Sequence, residues 1–273
     1  MNGIVSKYIF LCVIYNKKYD ESETVITFFN SINNACNNEL NFQSELHVWD
    51  NSTDDEVSTY NARSGSSDCI TYHSSGKNEK LSVIYNKFIN DYPDSVLIIF
   101  DDDSNISSSY MRAVLNLDQK HEFSIAVPRV ISQTGNMYSP AKFGLVKGKH
   151  LENISSGFHS GLVAITSGVA INCNRVIQEG LFFDKRLNLY GVDTDFFLSA
   201  SYKKIDIYVL DVYIDHDLSY FNEEKVKIKR ARFLNLMKSN FHISRKRSLA
   251  HVLLYVIYAL LVFMKNIKLF LFK

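Results

Sequence analysis

Apolar positions along the chain fall into short β-branched and aromatic runs, separated by stretches in which they recur at helical spacing. In the front half, Tyr8 to Tyr15, Glu45 to Trp49, Cys69 to His73 and Val96 to Phe100 read as strands. Ser22 to Cys36 and Glu79 to Asn90 read as helices, and a third helix is expected after Asp103. This alternation predicts a mostly parallel sheet with crossover helices. Each strand ends in a polar cluster: Asn16, then Asp50-Asn51-Ser52, then Ser75-Gly76-Lys77, then Asp101-Asp102-Asp103. Ligands of open α/β sheets bind beyond the carboxyl ends of the strands, so the clusters predict one shared site. After Phe123 the pattern loosens, with Gly and Ser punctuation from Gly135 to Gly168, and helix is expected again at Asn174 to Glu179 and Asp195 to Lys204.

The 273 residues allow one large α/β domain with an appended segment, or two small domains; 46% hydrophobic residues and only 3 prolines exclude a disordered or linker protein. Charge divides the chain. No acidic residue follows Glu224, whereas Lys225 to Lys273 carries 12 of the 30 Lys and Arg, leaving 18 basic against 29 acidic residues before it. An acidic body argues against a nucleic-acid partner, and a basic, apolar tail suits an anionic lipid surface. The expected division is therefore 1–217 and 218–273. Cys12, Cys36, Cys69 and Cys173 form no CxxC pair and have no His at zinc spacing, which points to reduced thiols and a cytoplasmic setting. Tyr8 to Tyr15 imitates a signal peptide but runs into Asn16-Lys17-Lys18 without a cleavage site, and reads better as the first strand.

The sharpest chemistry is the triplet Asp101-Asp102-Asp103 after the run Val96 to Phe100. Three adjacent carboxylates at the end of a buried strand repel one another unless a cation neutralises them. Mg²⁺ or Mn²⁺ does so with one or two protein carboxylates, substrate phosphate oxygens completing the shell. The competing reading is a solvated acidic turn in which Asp103 or Ser104 caps the next helix. Ser75 to Lys80 resembles a phosphate cradle but lacks the second glycine and the Lys-Ser/Thr ending of a P-loop; it reads as a loop carrying Lys77 or Lys80 toward a diphosphate, or as a plain turn.

Taken in order, Val13 to Asn16, Trp49 to Ser52, Ser74-Ser75-Gly76 with Tyr85-Asn86, Phe100 to Ser104, Ser167-Gly168 and Gly191 to Asp195 resemble the family 2 glycosyltransferases, more narrowly the rhamnosyltransferase-like, O-antigen or capsule branch, over roughly residues 6 to 217. The resemblance implies a GT-A, Rossmann-like fold and an inverting, metal-dependent hexosyl- or deoxyhexosyltransferase. It implies that Tyr15, Asn16, Asp50 and Asn51 line the nucleotide base, with Lys77 and Asn86 also on the donor. Asp101 or Asp102 would meet the ribose, and Asp103 would hold the metal, joined by His216. Asp193 would be the base, and Ser167, Gly168 and Asp195 would line the sugar and acceptor pocket. Val192 stands where the family usually has Glu.

Inverting transfer needs a base for the acceptor hydroxyl and a counter-charge for the departing nucleoside diphosphate. Asp193 and Asp195 cannot both face one sugar from a helix, because residues two apart point about 200° from each other. One of them is expected to be structural. The expected partners are a UDP- or dTDP-linked sugar and a lipid-linked glycan acceptor. Non-catalytic alternatives are a nucleotide-sugar- or glycan-binding module and a scaffold in a polysaccharide-assembly complex; a nucleotidyltransferase is disfavoured because Asn16-Lys17-Lys18 lacks the glycines such a loop wants.

From Leu249 to Met264 only His251 interrupts an apolar and aromatic run, with Arg245-Lys246-Arg247 before it and Lys265 and Lys268 after it. As a helix this is about 24 Å long, short of the roughly 30 Å hydrocarbon core. The tail is therefore expected to lie along the inner face of the plasma membrane without crossing it. The alternatives are a helix packed on the catalytic body and a homodimer contact.

Overall fold

A computed structural model of the chain describes residues 7–36, 43–65, 70–131, 135–144, 148–215, 226–267 and 270. Four strands form its parallel half: Lys7–Ile14 (β1), Gln43–Asp50 (β2), Ile70–Ser74 (β3) and Ser95–Asp101 (β4), in the order β3-β2-β1-β4. Their register fixes where they stop. Ile14 lies opposite Asp50, Asp50 opposite Ser74, and Val13 opposite Asp101, so the polar clusters emerge on one rim.

The crossovers are the helices Glu23–Cys36 (α1), Asp55–Ser64 (α2), Leu81–Asp91 (α3) and Ser108–Lys120 (α4). Three of them were expected from the apolar periodicity; α2 was not. Its sequence, DEVSTYNARS, has almost no apolar stripe, and what makes it a helix is its cap: the Asp54 carboxylate accepts from the Glu56 and Val57 amides, with Asp55 and Glu56 in the first turn and Arg63 in the last.

Beyond β4 the chain builds short strands that the loosened pattern hid: Ile125–Ile131 (β5), Met137–Ser139 (β6), Ala141–Phe143 (β7), Gly148–His150 (β8), Gly157–His159 (β9), Leu162–Val163 (β10) and Val169–Asn172 (β11). The helices Cys173–Gln178 (α5) and Val192–Tyr202 (α6), then the strand Ile207–Asp215 (β12), complete the body. The main sheet continues β4-β11-β5-β12-β9, with β11 antiparallel to both its neighbours and β6 paired to β5; β10, β7 and β8 form a small separate sheet. The result is a mixed α/β fold with a central sheet that is parallel at its front half.

Alternate side chains of the strands feed two cores. Ile9, Leu11, Leu97 and Ile99 pack on one face with Tyr85, Phe88 and Phe196, while Tyr8, Phe10, Ile98 and Phe100 pack on the other with Phe28, Tyr110 and Met111. Gly168 sits where β11 approaches the rim: its φ is +77°, and a Cβ there would meet Ile214 at 2.6 Å and Pro128 at 2.9 Å.

Two further helices, Val226–Arg247 (α7) and Leu249–Lys265 (α8), follow the body. Ile243 and Ser244 of α7 are buried, and α7 is fastened to α6. The Ser248 hydroxyl caps α8, whose Tyr255 donates to the Met237 carbonyl at 2.8 Å, so α8 folds back on α7. Among the described residues no helix is long and apolar enough to cross a membrane.

Candidate active site

The rim is cross-linked by short polar side chains. Asn16 adopts a positive φ of 49°, a conformation that asparagine tolerates, and its side-chain oxygen accepts from the Thr53 and Asp54 amides at 2.9 and 3.1 Å. That clamps the end of β1 to the turn after β2. Tyr15, beside it, is half exposed. Asp50 is buried, and its carboxylate accepts from the Ser52 amide (2.9 Å), the Asn61 amide group (2.9 Å) and the Tyr72 hydroxyl (3.0 Å). Burial and the adjacent Asp50 charge push the Tyr72 hydroxyl up to about 12, so it stays a donor at neutral pH. Asn51 reaches the next turn, donating to Asn78 and to the Glu79 carbonyl and accepting from the Glu79 amide at 2.7 Å.

The acidic triplet is braced from α1. The Thr24 hydroxyl bonds the backbone of Asp101 and Ser104, the Ser22 hydroxyl donates to the Asp102 carbonyl, and the Asp102 carboxylate pairs with Lys17 at 2.9 Å. Thr24, Ser22 and Lys17 carried no functional signal in the sequence, because each works through a partner about 80 residues away. Ser104 meets Ser167 through their hydroxyls at 2.5 Å, both buried, and Gly168 donates its amide to the Ile99 carbonyl at 2.7 Å. The 166–168 turn is thereby held against the end of β4. Gly168, expected in the sugar pocket, serves there as the residue that lets this turn close.

On the far side, the segment from Phe183 to Asn188 is laced to α3: Ser82 donates to the Leu187 carbonyl (2.7 Å), Lys80 to the Lys185 carbonyl (3.0 Å), and the Asn86 amide bonds both the carbonyl and the amide of Phe183. Asn86, expected on the donor, is thus used at both ends by the backbone and positions this segment instead. Lys77, also expected on the donor, is exposed and paired with Glu79 at 2.9 Å. The segment leads into Gly191, whose φ of +75° opens α6.

Asp193 lies in the first turn of α6, its carboxylate accepting from the Thr194 amide at 2.6 Å; burial raises its pKa above the ordinary aspartate value despite that bond. Asp195 points elsewhere. It is buried against α7, with Lys246 donating to both its oxygens at 2.7 and 2.6 Å. Expected in the acceptor pocket, it is held by α7, whereas Asp193 bonds within its own first turn; the two carboxylates have different partners, in keeping with helical geometry.

Tyr85 of α3 is fully buried, its hydroxyl without a hydrogen-bond partner of good geometry although Thr166 is close. Burial comes first, and the charges of Asp101 and Asp193 add to it, in holding this hydroxyl protonated. Both carboxylates therefore lie within electrostatic reach of one side chain. The donor set of the triplet is chemically apt for Mg²⁺ or Mn²⁺, since it offers only carboxylate oxygens and one or two suffice when a diphosphate completes the shell. Among the described residues no group of three His, Cys, Asp or Glu side chains forms a self-contained metal cage. His216 lies outside the described residues, as does Cys69; Cys12 and Cys173 are buried free thiols.

The fold is that of the GT-A glycosyltransferases. Crystal structures of TarS from S. aureus share it. The 1–349 fragment in complex with UDP-GlcNAc matches at a TM-score of 0.56 and 14% identity, over 93% of this chain and 71% of that one. GalNAc-T7 with UDP, GalNAc and Mn²⁺ matches at a TM-score of 0.51 and 14% identity, over 79% of this chain and 44% of that one. No protein-family model and no curated protein matches the sequence.

Proposed function

We propose that the chain is a glycosyltransferase that moves a hexosyl or deoxyhexosyl unit, with inversion, from a UDP- or dTDP-linked sugar to a hydroxyl of a lipid-linked oligosaccharide, in assembly of a bacterial surface polysaccharide such as O-antigen or capsule. The observation that carries this reading is the register of the parallel strands, which brings Asp50 at the end of β2 and Asp101 at the end of β4 to one rim of the sheet. Structures of the same fold with UDP, and one with Mn²⁺, support a nucleotide-sugar donor and a divalent ion.

In this mechanism Tyr15, Asn16, Asp50 and Asn51 shape the nucleotide pocket across the ends of β1 and β2. Asp101 or Asp102 would meet the ribose and Asp103 would hold the ion, which when bound supplies positive charge to the departing diphosphate. Asp193 removes the proton of the acceptor hydroxyl; its burial makes it a stronger base than a solvated aspartate.

Membrane attachment is part of the proposal. Leu249, Leu253, Ile257, Leu260 and Met264 of α8 are each more than half exposed, and the basic residues Arg245 and Lys265 flank them. An amphipathic helix of this kind lies in the interface of an anionic leaflet, with the cations adding about 1 kcal/mol each near the surface. The enzyme and a lipid-linked acceptor would then share the inner face of the plasma membrane. Calorimetry with UDP and dTDP tests the donor site: binding should require Mn²⁺ and weaken in Asp103→Asn. Equal affinity with and without the ion, in both proteins, would remove the metal from the mechanism.

A further inference from the structure

Three cationic side chains, Lys80, Arg186 and Lys238, together with His242, line a cavity of about 390 Å³ between the start of α3, the segment 186–190 and the middle of α7. No carboxylate lines it. Arg186 and His242 are turned toward Asp184, which lies outside the cavity wall and bonds them at 2.8 and 2.9 Å. Lys80 donates to the Lys185 carbonyl at 3.0 Å with the Glu79 charge next to it in the chain, and no described carboxylate pairs with Lys238. Lys238 is therefore a positive charge with no described carboxylate partner, in a concave space that also holds Asn235 and Ser239. Anions are stabilised in such a place by charge-assisted hydrogen bonds, and phosphate oxygens fit mixed Lys and Arg donors best.

We infer that this cavity holds the phosphate or diphosphate group of the acceptor, an inference that rests on the glycosyltransferase reading. Its position favours the acceptor over the donor. The wall formed by Tyr190 runs directly into Gly191 and Asp193, and Ser239 of α7 stands 3.3 Å from where a Cβ on Gly191 would be. An acceptor anchored here presents its sugar beside the base. The donor diphosphate meets acidic residues and needs an ion to do so, whereas an anion in this cavity needs none. The helix that walls the cavity leads straight into α8, whose exposed apolar face would receive the hydrocarbon of a phosphate ester that is also a lipid.

Titration calorimetry with octyl phosphate and with inorganic pyrophosphate, each with and without UDP and Mn²⁺, tests the assignment. Octyl phosphate should bind the full-length protein, lose about tenfold in affinity in Lys238→Glu, and persist when UDP is present. Lys238 is exposed on α7, and Lys238→Gln, with a smaller loss and an unchanged circular dichroism spectrum, separates charge from folding. Pyrophosphate should bind more weakly than octyl phosphate. Binding unaltered in Lys238→Glu, displacement by UDP, or equal affinity for the two probes would overturn the inference. Failure of UDP to bind the wild type would instead count against the donor site, and Lys238-dependent binding of octyl phosphate would survive it.

Discussion

Lys246 of α7 donates to both carboxylate oxygens of Asp195 on α6, at 2.7 and 2.6 Å, and reaches Asp184 at 3.0 Å. One lysine thus joins the helix that carries the candidate base to the first helix of the basic tail. Burial raises the Asp195 pKa, with Lys246 opposing it, while Asp184, partly buried, is held well below the usual range by hydrogen bonds from Arg186, His242 and Lys246.

Lys246→Ala leaves the Asp195 carboxylate buried without its cation. Removing one member of such a pair costs on the order of 3 kcal/mol, and the partial exposure of Lys246 places this case at the low end. Chemical denaturation should show that loss in Lys246→Ala and a much smaller one in the double variant Lys246→Met with Asp195→Leu. Equal losses would mean that the pair contributes nothing beyond packing.

The change of charge after Glu224 was legible in the sequence; the fastening of α7 to the body was not. Lys246 sits in a basic run that reads as solvated, and nothing local marks its partner 51 residues earlier. The four front strands were legible to within two residues because buried parallel strands are continuous apolar runs. β11 was hidden because it is only four residues long and is held by neighbours from both halves of the sheet. Asp193, the triplet and Tyr85 were all named from motif order, whereas the complete burial of Tyr85 and the charges of Asp101 and Asp193 that act on it come only from the tertiary fold.

Tyr85→Phe removes a buried hydroxyl that lacks a good partner. Stability should stay within about 1 kcal/mol of the wild type, or rise, because no protein hydrogen bond is broken. Transfer should slow by less than about tenfold, because what is lost is a hydroxyl dipole in the field of Asp101 and Asp193. Thermal melting and initial rates check both; normal transfer would make Tyr85 a packing residue only.

His47 and His73 share a 2.8 Å contact between ring nitrogens on the outer strands, stacked beside Trp49. Burial, then the neighbouring His47, lowers His73 to about 4, and burial lowers His47 as well. A histidine depressed in the folded state favours folding above its unfolded value near 6.5. That contribution declines as pH falls from there and is lost at about 4. Denaturation midpoints should fall over that window by an amount on the order of 1 kcal/mol, allowing for partial exposure, and His73→Phe should flatten the slope.

Truncation after Ser248 removes α8 while keeping Lys246 and its ion pairs. The full-length protein should float with anionic liposomes at low salt, and the truncated protein should remain folded, bind nucleotide and stay in solution. Flotation of both to the same extent would assign membrane binding to the body.

The most direct test of the central claim is a panel of UDP- and dTDP-sugars incubated with Mn²⁺ and a lipid-linked glycan acceptor, with nucleoside diphosphate release as the readout. The wild type should release diphosphate from at least one donor. Asp193→Asn should bind that donor normally yet transfer about 10² to 10⁴ times more slowly, while a folded Asp195→Asn keeps most of its rate. Unchanged transfer in Asp193→Asn, or loss confined to Asp195→Asn, would contradict the account.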